Sequence, residues 1–342
     1  MLSAGSLRDY VITAPKYVEF HFVFNKDCEI YRDLLDRGFE CTIVPYGLES
    51  SRLLRMLSFC NALVRVVLLA LKFKPTVLHG NNLMASRVLV IVSKLLQIPC
   101  VVQLRNPSVP QRQAWVLNLC DKIYCVSNYL KDHIVSKKNA LKSCVVYDGF
   151  CIQDYSARRP YLEKVSNVVV IGMCSRVTYQ KGVHLFCELA KSYANDCNVI
   201  FRHLGGDSNP AYQYEEDIKI EYGDCVEWQS YSNNVSDFFS GIDLFVLPAV
   251  ESEAFGRVLI EAMLAGVPCI STKCGGPQEI LTDGVTGYIV DAEYISLKKI
   301  IDKLIKNTSM RSEIGENGRQ AASQNFSIEA YTKLIISNYP TS

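Results

Sequence analysis

The chain has 342 residues, 49% of them hydrophobic, and a formal net charge of +1. That length suggests two domains of about 100–200 residues, each able to bury a core. The near-neutral balance, with no long basic run, argues against bulk electrostatic binding, so nucleic acid is not an expected partner.

Residues 1–10 lack a charged start followed by an apolar run, so no secretory signal is read there. Residues 7–14 end at Pro15 and show no clear period. Segments 18–24 and 40–46 read as strands, with a helix over 28–37 between them. Residues 53–73 are rich in Leu and Val but carry Arg55, Asn61 and Arg65. An interior arginine costs about 2.5–3.5 kcal/mol on insertion scales, so a helix on a soluble domain is favoured over a span. A helix lying on a membrane surface stays open as a third reading. Strands follow at 76–80, 100–104, 122–126 and 144–147, with helices over 84–96, 111–119 and 129–136.

Residues 152–166 are charged, contain proline and have no period. The interdomain linker is placed there, dividing 1–155 from 156–325. The second half repeats the scheme, with strands at 168–172, 198–203, 225–229, 243–247, 267–271 and 286–290. Helices are expected over 183–194, 212–222, 235–241, 257–265, 277–281 and 295–306. Continuous apolar strands alternating with helices mean parallel sheets buried on both faces. The expected class is α/β, two doubly wound domains facing a cleft, with ligands outside the carboxyl ends of the strands.

The 14 cysteines include no C-x-x-C pair. They read as small buried hydrophobes in a reducing compartment. The five histidines do not cluster with them, so no metal site is expected.

Three loops of the second half can carry chemistry. After strand 243–247, Glu253 precedes a helix and Glu261 sits on it among Leu259, Ile260, Met263 and Leu264. A carboxylate in such a run needs a partner, and a pair of ribose hydroxyls is one. A helix-capping Glu253 and a solvated Glu261 fit the spacing about equally well. After strand 267–271, Gly275-Gly276 precede a short helix, where backbone N–H groups can approach a phosphate. After strand 168–172, Arg176 and Lys181 flank a turn before a helix and suit a diphosphate.

Together these loops resemble the retaining glycosyltransferases of family 4, which have the two-domain GT-B fold. The resemblance is carried by Glu253 and Glu261 in the E-x7-E signature, with Phe255-Gly256, Val258, Glu261-Ala-Met and Gly266-Val-Pro268 around them. Weaker echoes are Lys181-Gly182, Gly275-Gly276 with Glu279, Asp121 to Ser127, and Asp148-Gly149. The tail 326–339 looks like the family's last helix, which crosses back to the first domain. The resemblance implies that Glu261 holds the nucleotide ribose and Glu253 contacts the donor sugar. It implies that Arg176 and Lys181 neutralise the diphosphate, and that Phe255, Gly256, Val258, Gly275 and Gly276 help seat the donor. The donor is then a nucleoside-diphosphate-sugar co-substrate, with no further cofactor. No D-x-D sequence occurs, consistent with metal-independent transfer. The implied acceptor is a glycan or lipid-linked glycan of a bacterial surface polysaccharide. The implied location is cytoplasmic, with peripheral contact at the inner face of the membrane as an open reading.

The chain departs from the pattern twice. Relatives place a histidine near the loop at Gln103 and Arg105, and they open with a strand and a glycine-rich turn. The first strand of the N-terminal domain is therefore expected to be missing, truncated or replaced by another segment. His79 and Ser127 read as site residues or strand-end structure alike. The rival functions are a catalytically impaired nucleotide-sugar-binding protein, a dinucleotide-dependent oxidoreductase and a sugar-nucleotide epimerase. The oxidoreductase is disfavoured because no complete G-x-G-x-x-G follows a strand.

Overall fold

The computed structural model describes residues 5–47, 51–155, 168–206, 213–230, 232 and 235–340. Most of the expected linker 152–166, residues 1–4 and Tyr212 of the expected helix 212–222 lie outside these residues. The chain divides into two compact units, Met1–Phe150 with Ile328–Ser342, and Cys151–Ser327. The dividing point is thus Phe150, because the 3-10 turn Ile152–Asp154 groups with the second unit.

The first unit runs α1 (Gly5–Thr13), β1 (His21–Phe24), α2 (Glu29–Asp36), β2 (Glu40–Ile43), α3 (Arg52–Phe73), β3 (Leu78–Gly80), α4 (Leu83–Leu96), β4 (Cys100–Leu104), α5 (Ala114–Leu119), β5 (Lys122–Cys125), α6 (Asn128–His133) and β6 (Ser143–Val145). The second runs β7 (Val169–Cys174), α7 (Val183–Ser192), β8 (Val199–Leu204), α8 (Gln213–Tyr222), β9 (Glu227–Gln229), α9 (Val235–Ser240), β10 (Leu244–Leu247), α10 (Arg257–Leu264), β11 (Cys269–Thr272), β12 (Tyr288–Val290), α11 (Tyr294–Ile305) and α12 (Thr308–Asn325). The last helix, α13 (Ile328–Asn338), belongs to the first unit.

In the first unit β3, β4, β5 and β6 form one parallel sheet in that order, and β1 pairs with β2 in a parallel sheet of its own. Among the described residues no strand joins the two. A helix also contributes to the core of this unit. Residues 7–14, which show no clear period, lie largely in α1, and Tyr10 and Val11 are buried there. They share a cluster with Phe20, Phe22 and Phe24, alternate positions that fall on one face of an extended chain. Val101, Tyr124 and Val146 enter the same cluster from the four-stranded sheet and its edge, and Ile328, Tyr331 and Ile335 enter from α13.

The second unit has a six-stranded parallel sheet in the order β12-β11-β10-β7-β8-β9. The chain runs outward from β7 to β9, returns to β10, and runs outward the other way. That reversal creates a switch point between β7 and β10, where strand-end loops diverge and leave room for a ligand. Every residue of β7, β10 and β11 is buried, so the strands lack alternation, as a sheet covered on both faces requires. Helix α12 had no counterpart in the sequence reading. Its buried positions include Gly315, Gly318 and Ala322, whose small side chains give little hydrophobic signal. They serve close packing instead, since a Cβ on Gly315 would lie 2.2 Å from the Gly266 carbonyl oxygen.

Candidate functional site

The loops after β7, β10 and β11 are stitched together by the backbone. After β7 the chain makes a 3-10 turn, Tyr179–Lys181, and Gly182 (φ +72) opens α7. A Cβ on Gly182 would lie 1.8 Å from the Pro248 carbonyl oxygen, so only glycine permits this approach to the loop after β10. Val250 N–H then donates to Gln180 O at 3.0 Å. With the two loops tied, Lys181 Nζ reaches the Glu253 carboxylate and forms an ion pair, the side chains 25% and 18% exposed.

The loop after β11 joins the same assembly. Glu253 N–H donates to Cys274 O at 2.6 Å, and Gly276 N–H donates to Glu253 O at 3.0 Å. A Cβ on Gly276 would lie 2.5 Å from Ala254 O and from Phe255 Cα. Thr272 Oγ1 fixes the base of the loop by donating to Ala249 O at 2.5 Å. The glycine pair therefore acts differently from the expectation for a bare phosphate cradle. Gly276 N–H is engaged by Glu253 O, and Gly275 N–H is held at 3.3 Å by the Gln278 side chain. The pair's main effect is to let two loops touch. The expected helix over 277–281 is only a 3-10 turn, Gly276–Glu279.

Helix α10 begins at Gly256 (φ +99) with no side-chain cap, and Val258 through Leu264 are all buried. Glu261 is 3% exposed, which removes the solvated-helix reading. Arg257 Nη2 lies 3.8 Å from Glu261 Oε1, one turn back on the helix. Burial pushes the Cys174 thiol up to about 12, and the Glu261 charge adds to it. Glu261 thus sits electrostatically close to the end of β7. Burial likewise pushes Cys274 up to about 11, where Glu253 raises it further and Lys181 lowers it. Arg176, just past β7, is exposed, and its guanidinium has no hydrogen-bond or ion-pair partner among the described residues.

Glu253, Lys181, Gly275 and Gly276 are in direct contact, and Glu261 and Arg176 flank β7's end. Phe255 and Val258 turn inward. The Phe255 ring packs edge-on against Phe326 at 5.8 Å, so these two residues, like Gly256, can offer a ligand mainly backbone. Three contributors escaped the sequence reading: Arg257, Gln180 through its carbonyl, and Thr272. Only Arg257 left a signal, its four-residue spacing from Glu261.

Residues 156–321 match the family model of glycosyl transferases group 1. This segment is a group 1 glycosyltransferase domain. The chain is 25% identical over 334 residues to the capsular polysaccharide biosynthesis glycosyltransferase CapM of Staphylococcus aureus, covering 87% of this chain and 85% of that one. It is 27% identical over 241 residues to the lipopolysaccharide 1,2-N-acetylglucosaminetransferase of Salmonella typhimurium, covering 66% of this chain and 61% of that one. Its fold is similar to that of HepE from Anabaena in complex with UDP, at a TM-score of 0.82 and 22% identity, covering 98% of this chain and 95% of that one. The fold class is GT-B, with two Rossmann-like domains.

Strand-end polar groups of the first unit engage other residues of that unit. His79 Nδ1 lies 2.8 Å from the Tyr339 hydroxyl, and its ring packs edge-on against Tyr124 and Tyr339. Gln103 is buried and donates to Tyr331 Oη at 3.4 Å. Ser127 accepts from Leu130 N–H as the cap of α6. Arg105 pairs with Asp148 at 2.7 Å and donates to Asn81 Oδ1 at 3.2 Å. Asp121 accepts from Cys100 N–H and Lys94. Burial raises its carboxyl, but these donors outweigh that and leave it below the ordinary value.

Proposed function

We propose that the chain is a retaining glycosyltransferase of family 4. It moves a hexose-type sugar from a nucleoside-diphosphate-sugar to a glycan or lipid-linked glycan of a bacterial surface polysaccharide, such as capsule, O-antigen or lipopolysaccharide. The observation that carries this reading is the stitched contact of Lys181, Glu253 and Gly275-Gly276 beside the buried Glu261. The names of the capsule and lipopolysaccharide relatives support the pathway. The HepE complexes with UDP and UDP-glucose make uridine nucleotides the first donors to test.

Glu261 accepts from the ribose hydroxyls, and its burial lets two such bonds be worth more than they would be in water. Lys181 and Glu253 exchange their mutual contact for the donor, the ammonium going to the diphosphate and the carboxylate to the sugar hydroxyls. As the bond to the sugar breaks, charge builds on the departing diphosphate. In this reading Arg176 and Lys181 stabilise it, and no metal is required. Phe255, Gly256 and Val258 hold the start of α10, from which Glu261 projects.

The test is a panel of nucleotide-sugars followed by thermal shift and turnover, then Glu261→Ala. Nucleotide affinity should fall by about 1.5–3 kcal/mol, the cost of removing a hydrogen bond to a charged group. Unchanged affinity would sink the ribose role. Anomeric analysis of the product tests retention, and activity in the presence of a chelator tests metal independence. Tight binding of a donor with neither transfer nor hydrolysis would leave a nucleotide-sugar-binding protein.

A further inference from the structure

Helix α3 packs against α4 and buries Ala62, Val66 and Ala70 on an inner arc, leaving Leu53, Val64 and Leu68 exposed on the opposite one. Nearer its start the inner arc carries Arg52, Met56 and Phe59 at four- and three-residue intervals. There it lines a cavity of about 670 Å³. Tyr46, Arg87 and Arg112 join the lining from the loop after β2, from α4 and from the 3-10 turn Gln111–Gln113. These segments follow β2, β3 and β4, so the cavity lies beyond carboxyl ends of strands, where open parallel sheets receive ligands. His79, Gln103 and Ser127, at other strand ends of this unit, are engaged within it.

The charge in the cavity is unbalanced. The chain has 36 basic and 35 acidic side chains, yet among the described residues no carboxylate lines this space. Arg55 also lines it and has a partner of its own. Arg52 and Arg112 have no hydrogen-bond or ion-pair partner among the described residues. Arg87 is half-buried, and its Nε is buried without a hydrogen-bond partner. Its Nη1 reaches only the Met84 thioether, at 3.6 Å, and its guanidinium lies 5.3 Å from the centre of the Phe59 ring. A thioether is a weak acceptor and a ring face carries no counter-charge, so this cation lacks an oxyanion. The wall beside it is fixed: the Tyr46 hydroxyl donates to Met84 O at 3.0 Å, and the Tyr46 ring packs edge-on against Phe59. Three cations from three separate segments repel one another until an anion joins them. Planar guanidinium forks match phosphate oxygens two at a time, and a phosphate brings more charge than a carboxylate.

We propose that this cavity receives the phosphate of a phosphorylated sugar acceptor, held by Arg52, Arg87 and Arg112, with the apolar side of the sugar against Tyr46 and Met56. The proposal rests on the transfer reaction read above and names the class of its acceptor. The phosphate sits on the sugar itself or links the sugar to a lipid; both present the same oxygens.

The test is calorimetric titration of the full chain, without donor, with inorganic pyrophosphate, glucose 1-phosphate, glucuronate and methyl glucoside. The two phosphates should bind, more weakly as salt rises, and methyl glucoside should not. Arg87→Gln with Arg112→Gln should weaken the phosphates by about ten-fold or more at low salt. Arg52→Gln with Arg112→Gln, both at exposed positions, should act in the same direction, and melting temperatures check that each variant is folded. Lys181→Met should keep the arginine-dependent binding, which separates the cavity from the donor loops. Farnesyl diphosphate distinguishes the two sources. Binding about ten-fold tighter than pyrophosphate, lost with the same arginines, assigns the phosphate to a lipid carrier, and equal binding assigns it to the sugar. Absence of phosphate binding at millimolar concentration, or equal binding by the wild-type chain and both arginine variants, overturns the proposal. So does tighter binding of glucuronate than of glucose 1-phosphate. Failure of donor turnover with arginine-dependent phosphate binding intact counts against the reaction only.

Discussion

At the ends of β7 and β10, Lys181 meets Glu253 with both side chains partly exposed. At the ends of β4 and β6, Arg105 meets Asp148 at 2.7 Å with side chains 9% and 2% exposed. The two pairs have similar chemistry and opposite uses. A partly hydrated pair loses little when a ligand replaces one partner. A pair removed from water can be broken only at the cost of leaving a charge uncompensated, so it serves the fold. The first unit directs its other strand-end polar groups the same way, His79 and Gln103 toward the tyrosines of and just beyond α13. The second unit leaves Arg176 exposed and Lys181 exchangeable. One architecture, used twice, has a half whose strand-end cations stay partly hydrated and a half whose strand-end groups hold the last helix.

The comparison can be broken most directly at Arg105. Arg105→Ala should cost about 3–5 kcal/mol of stability in urea unfolding, because it strips the cation from a carboxylate that is 2% exposed. A loss below about 1 kcal/mol would remove the distinction between the two pairs. Lys181→Met should do the reverse. Turnover should drop by about 10²–10³ through loss of a leaving-group cation, with stability changed by less than about 1 kcal/mol. A large stability loss with normal turnover would make Lys181 a structural residue like Arg105. Gly182→Ala sharpens the stitching argument, since its Cβ would meet Pro248 O at 1.8 Å. It should cost about 1–3 kcal/mol and weaken donor binding by separating the loops. Intact donor affinity would mean that the loops need not touch.

The smallest effect is in pH. Burial pushes His203 in the second unit down to about 3 from 6.5, and Lys219 adds to the shift. Burial also lowers His79 in the first unit, with Arg105 adding to it. The unfolded chain therefore takes up protons near pH 6.5 that the folded chain refuses. Stability is full above 6.5 and falls as pH drops toward the folded values. His203 alone should contribute about 1 kcal/mol of loss between pH 6.5 and 5.5. His203→Gln should flatten that slope in pH-dependent unfolding. An unchanged slope would place the acid sensitivity elsewhere.

Every strand expected from the sequence has a counterpart, and the residues of the second unit's three loops lie where strand-end reasoning puts them. Short-range rules suffice there. A strand buried on both faces must be a continuous apolar run, and a chain turning from strand to helix needs glycine where backbones nearly touch. Helix α12 escaped because glycine and alanine packing carries no hydrophobic period. The work of Gln103 and His79 escaped because their partners lie 228 and 260 residues away.

From the sequence alone follow the α/β class, the two-unit scheme and the candidate donor residues Arg176, Lys181, Glu253 and Glu261. The class and the scheme rest on local periodicity, and the donor residues rest on the family resemblance, since their spacing alone fits a capped, solvated helix about equally well. Only the tertiary structure decided that Lys181 pairs with Glu253 and that Gly275-Gly276 join loops before they can serve a phosphate. It also decided which of the two apolar arcs of α3 is covered. Periodicity shows that both arcs exist; packing against α4 consumes one and leaves the other facing out, because burial depends on neighbours that are distant in sequence.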